Sequence, residues 1–169
     1  YRKSDNTYIG LNSSKTDLEK KFEILTTTAP YKISESIFFL GEIPRETHFE
    51  STSSSFILED GSPDFIPDDS AVAVILPKGL FVITGCGHSG IVNILEYSKK
   101  ITGVNKIYGI MGGFHMKTVD SQLVNTVKYL LENNVKKIIP MHCVDTAVRS
   151  FFQQKTGITE LKTGDTIIL

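Results

Sequence analysis

The chain lacks most of the features that mark a specialised environment. Its 169 residues include only two cysteines. Each stands beside a histidine, Cys86 near His88 and Cys143 next to His142, which is not the pattern of a secreted disulfide framework. Neither sign of charge is in excess: the net charge is −1 and 22% of residues are charged. Such a balance exerts no global pull toward nucleic acid or an anionic membrane. No apolar run approaches the roughly 20 residues of a membrane span, and no signal-peptide pattern opens the chain. With 40% hydrophobic residues, the length suits one domain, or most of one, with a real core. The expectation is a cytoplasmic globular protein that binds neither nucleic acid nor membrane. The chain opens Tyr1-Arg2-Lys3, without an initiator methionine and in a polar segment with no strand pattern, as expected of a portion of something longer.

The residues that are present change texture at position 71. Residues 1–70 read as an irregular segment of the same domain. Thr16-Asp17-Leu18-Glu19 resembles a capping box opening a short helix, and Ser36–Leu40 reads as a strand. Two apolar runs, Ala71–Leu76 and Leu80–Thr84, are joined by Pro77-Lys78-Gly79 and read as a hairpin. Beyond them strands alternate with helical spacings: a helix from Ile91 to about Ile101, a strand Lys106–Met111 and a helix Gln122–Asn133. A strand Val135–Ile139, a helix Val144–Lys155 and a terminal strand Asp165–Leu169 complete the series. Such alternation predicts a mainly parallel sheet. The hairpin makes it mixed, so the fold class is α/β on the boundary with α+β.

Three of the four histidines follow apolar strands directly: His88 after LFVITGCG, His115 after YGIMGGF and His142 after VKKIIPM. Ligands of open parallel sheets bind outside the carboxyl ends of the strands. If these strands are neighbours, the three imidazoles gather along one edge. Imidazole is a common metal ligand and the usual acid/base near neutral pH. One such histidine alone would read as a loop or packing residue; three in equivalent positions point to a site.

The loop Gly85-Cys86-Gly87-His88-Ser89-Gly90 also satisfies the G-x-G-x-x-G dinucleotide pattern. That reading needs an acid at the end of the next strand to hold a ribose. The next strand ends Ile110-Met111-Gly112-Gly113 with no acid, and the dinucleotide reading is rejected. A nucleophile elbow built on Cys86, with His142 or His115 as base, is the rival reading. No orienting acid follows a strand to complete it.

KGLFVITGCGHSGIVNIL, GIMGGFHM, PMHC and the earlier FFLGEIPRETHFE together resemble the metallo-β-lactamase superfamily. Within it they are most similar to the dihydropterin-ribofuranosylaminobenzene-phosphate-synthase-like branch of metal-dependent hydrolases. The resemblance implies an αββα sandwich with one or two divalent metal ions, usually zinc, at the edge of its sheets. By resemblance, His88 and His142 are metal ligands, and His115 and Arg45 are substrate-binding residues. Cys86 falls near a bridging aspartate of many members, and Glu50 belongs to a motif near the substrate. The superfamily's His-x-His-x-Asp-His motif, which lies in its amino-terminal half, does not occur here.

The chain therefore looks like the carboxy-terminal part of the fold, from about residue 71 its sheet and helices. A missing amino-terminal half or a partner chain is expected to complete it. The implied function is metal-dependent hydrolysis, through a metal-activated water, of a small phosphate- or carboxylate-bearing molecule. The rivals are a cysteine-nucleophile enzyme and a non-catalytic interaction subunit.

Overall fold

The computed structural model describes residues 1–169. Its organising feature is a six-stranded sheet in the order β1-β2-β5-β6-β7-β8. The hairpin sits at its centre. Strands β5 (Ala71–Leu76) and β6 (Gly79–Thr84) pair antiparallel, with Ala73 opposite Val82 and Leu76 opposite Gly79. Gly79 closes the turn at φ +126°, where a Cβ would lie 2.6 Å from the Lys106 carbonyl oxygen, so only glycine fits. On one side β2 (Ile37–Phe39) pairs with β5, and β1 (Tyr31–Lys32) pairs with β2, both antiparallel. On the other side β7 (Ile107–Gly112) and then β8 (Lys137–Pro140) add in parallel. The sheet is mixed, as the alternation and the hairpin together predict. A separate ribbon, β3 (Phe56–Ile57) with β4 (Pro63–Asp64), lies outside it.

Helices α2 (Ile91–Thr102), α3 (Ser121–Glu132) and α4 (Thr146–Thr156) connect or follow the parallel strands. Their ends obey local chemistry. Asp120 caps α3 by accepting from the Leu123 N–H, and Gly103 and Gly157 stop α2 and α4 in the left-handed conformation.

All three helices bury the same kind of stripe against the same face of the sheet. Ala71, Ala73, Leu80, Val82, Ile110 and Ile138 form one cluster with Ile91, Ile94 and Leu95 of α2, Leu123, Val127 and Leu130 of α3, and Val148 and Phe152 of α4. The alternate residues point to the opposite face: Val72, Val74 and Met111 are half-buried and Ile83 is exposed, while Phe81 and Ile139 on that face are fully buried. No core helix covers that face. The arrangement is one sheet with its helices packed on one face and a partly covered apolar face on the other.

Two expectations are corrected. The first helix, α1 (Lys15–Glu19), is capped by Ser14, whose hydroxyl accepts from the Asp17 N–H, so Thr16 lies inside it. The terminal segment Asp165–Leu169 forms no strand. Its acid closes a local turn instead: Asp165 Oδ2 accepts from the Lys162 N–H at 2.7 Å, and Ile168 is 91% exposed. A short apolar run without a neighbouring strand to pair with does not make a ladder. On the β8 side, Thr159 already donates to the Ile138 carbonyl at 2.9 Å.

Candidate metal centre

The three histidine loops meet because β6, β7 and β8 are consecutive parallel neighbours that end in register, Thr84 beside Gly112 and Gly112 beside Pro140. The glycines before His115 make the close approach possible. Gly113 donates its N–H to the Gly85 carbonyl at 2.7 Å. A Cβ at Gly113 would stand 2.7 Å from that oxygen, 2.7 Å from His142 Nε2 and 2.8 Å from the Cys86 Cα. The loop after β8 is fixed in turn: Arg149 donates to the carbonyls of Pro140 and Met141, and Met116 N–H donates to the Cys143 carbonyl at 3.0 Å.

Across this glycine gap Cys86 Sγ stands 3.5 Å from His142 Nε2. The ligating atoms of Cys86, His142 and Cys143 all lie within 4.8 Å of one another. Cys86 is half-buried and the other two are exposed. Burial, then the neighbouring Cys143 and the charge of Asp69, push the Cys86 thiol up to about 11. A free thiol so placed is protonated at neutral pH and is a poor nucleophile.

His88 does not join that group but pairs with His115. Their ring centroids are 4.0 Å apart, and Phe56 of β3 sets its edge against His88 at 5.2 Å. Both rings line a cavity of about 240 Å³, with the Ser51–Ser55 loop, Lys117 and Gln122 among its other walls. Burial lowers the His88 pKa, and burial together with His88 lowers that of His115 to about 4. Both are neutral at physiological pH. His115 Nδ1 is buried with no hydrogen-bond partner, and its backbone sits at φ 44°. A non-glycine residue held in that region marks strain of the kind that collects at functional sites.

No family model matches the chain. It is 37% identical over 133 residues to the 7,8-dihydropterin-6-methyl-4-(β-D-ribofuranosyl)-aminobenzene-5'-phosphate synthase of Methanocaldococcus jannaschii, an alignment covering 75% of this chain and 45% of that protein. An uncharacterized protein of the same organism is 37% identical over 141 residues, covering 82% of this chain and 52% of the relative. The chain thus spans about half the length of the curated relatives it matches. A crystal structure of a metal-dependent hydrolase of the β-lactamase superfamily superposes with a TM-score of 0.74 at 26% identity, covering 87% of this chain and 58% of that one. The chain shares the fold of that β-lactamase-superfamily hydrolase and is similar in sequence to the synthase.

Within this superfamily fold, two buried carboxylates hold the histidine loop, and sequence reasoning did not give them that role. Asp69 is 7% exposed. It accepts from the Gly87 N–H at 3.2 Å and the Ser89 N–H at 2.9 Å. Glu50, 2% exposed, accepts from the N–H groups of Val92 and Asn93, each at 2.9 Å, at the start of α2. Desolvation raises its pKa against those bonds. The N–H donors that a dinucleotide pyrophosphate would need are therefore already taken by the protein, which is the structural reason the G-x-G-x-x-G pattern means nothing here. Glu50 caps the helix rather than meeting the cavity. Arg45 donates its guanidinium to the carbonyls of Phe65 and Ile66; both of those residues line the cavity, and Arg45 itself does not. No helix is long and apolar enough to cross a membrane.

Proposed function

We propose that the protein is the carboxy-terminal portion of a metal-dependent hydrolase-like enzyme whose metal is held on this chain by Cys86, His142 and Cys143. The observation that carries the reading is the convergence of those three ligand atoms within 4.8 Å; Cys86 is next in the chain to Gly87, which lines the cavity with His88 and His115. The donor chemistry fits: two sulfurs and one imidazole suit a borderline-soft divalent ion, zinc before magnesium or calcium. The remaining ligand positions belong to the rest of the site. When bound, such an ion supplies Lewis acidity that polarises a scissile group and makes a water acidic near neutral pH.

The chain's own residues do the remaining work. His88 and His115 are neutral imidazoles facing one cavity, so each can accept a proton or a substrate hydrogen bond. Lys117 and the serine hydroxyls at the cavity wall offer a cation and donors to a small phosphate- or carboxylate-bearing substrate. The phosphate in the name of the M. jannaschii synthase supports that class. Arg45 acts on the substrate through the wall formed by Phe65 and Ile66 rather than by contact. The less covered face of the sheet receives the second sheet of the sandwich, as paired sheets bury one face on the other.

Metal analysis of the intact protein tests the reading. One ion or more per chain is expected, with a clear loss of occupancy in His142→Ala. Full occupancy in that variant, with loss in His88→Ala instead, would move the metal to the other pair of rings.

A further inference from the structure

We propose that Cys86 and Cys143 are a reversible thiol pair, which a small-molecule disulfide oxidant closes into an intramolecular bond. Both cysteines are free. Their sulfurs lie within 4.8 Å of each other although they come from loops on either side of β7. Gly113, the residue between those loops, has no side chain to separate them: a Cβ there would stand 2.8 Å from the Cys86 Cα. A disulfide needs the sulfurs at about 2.03–2.05 Å, so side-chain rotation must close the remaining gap. Cys143 is exposed and Cys86 half-buried, which gives a reagent access to one sulfur and keeps the second poised behind it.

The chemistry balances as thiol–disulfide exchange. The Cys143 thiolate attacks one sulfur of an oxidised low-molecular-weight disulfide such as oxidised glutathione, forming a mixed disulfide and expelling one glutathione thiolate. With Cys143 held in the mixed disulfide its charge no longer raises the Cys86 pKa; Cys86 then gives its proton to solvent as it attacks the Cys143 sulfur and expels the second glutathione thiolate. The protein loses two electrons and two protons, and the reagent gains them as two glutathione thiols. Bond formation stands on geometry alone. Its consequence, loss of two of the three proposed metal ligands, rests on the metal reading above.

The test is peptide mapping of the intact, metal-stripped protein under non-reducing conditions after treatment with oxidised glutathione. Expected is loss of both free thiols, a linked peptide pair containing Cys86 and Cys143, and complete reversal by dithiothreitol. Cys143→Ser should yield no linked pair and at most a glutathione adduct on Cys86. Persistent glutathione on both cysteines, or links only between chains, would overturn the proposal. A parallel sample loaded with zinc separates the two readings. Slower closure supports both, whereas the same linked pair at an unchanged rate leaves the thiol pair standing and removes the metal reading.

Discussion

Asp69→Asn is a nearly isosteric change with a large expected effect. In the native protein one buried carboxylate serves two backbone donors, through Oδ1 to Gly87 and Oδ2 to Ser89. An amide has one acceptor oxygen, so one of those N–H groups must face an NH2 group. Losing a hydrogen bond to a charged acceptor costs about 1.5–3 kcal/mol. The volume is unchanged, so no cavity contribution is added. For a chain of this length each 1 kcal/mol shifts Tm by roughly 2–4 °C, and a fall of about 3–12 °C is expected. The negative charge of Asp69 also acts to raise the pKa of His88. Its removal must lower that pKa further. Thermal unfolding of the intact protein reads the first effect, and a histidine titration by NMR reads the second. A variant with unchanged Tm and an unchanged His88 titration would refute the view that Asp69 pins the histidine loop.

Burial raises the Glu50 pKa, so the folded state holds its proton more tightly than the unfolded chain does. Stability from this group is greatest below the unfolded value and falls as pH rises through the folded one. The stability gap between wild type and Glu50→Gln in urea titrations should therefore narrow with rising pH across that window, and a widening gap would reverse the assignment. Gly113→Ala places a methyl 2.7 Å from both the Gly85 oxygen and His142 Nε2. It should spread the loops and weaken zinc binding at least as much as Cys86→Ser does, as measured by competition with a chelator.

The strands from Ala71 onward and the helices between them were legible because their apolar periodicities are long and each ends at a glycine, asparagine or proline signal. The gathering of histidine loops was legible too, since strand ends of a parallel set must share an edge. What the sequence could not display was which imidazole meets which sulfur. That depends on loop geometry across Gly112–Gly113, where Gly112 sits at φ +132° and Gly113, on the middle loop, faces the other two. The roles of Asp69 and Glu50 depend on partners 18 to 43 residues away and carry no local pattern. The terminal segment failed for the opposite reason. Its apolar run Ile167–Leu169 is local, and pairing needs a partner that the sequence does not identify; at β8 it is Thr159 that donates to the Ile138 carbonyl.

The central claim is that sulfur holds the metal on this chain. X-ray absorption at the zinc edge of the intact, zinc-loaded protein tests it most directly, because Zn–S distances of about 2.3 Å separate cleanly from Zn–N and Zn–O at about 2.0–2.2 Å. The account predicts two sulfur scatterers that fall to one in either Cys86→Ser or Cys143→Ser. A first shell of nitrogen and oxygen alone, unchanged by both substitutions, would contradict it.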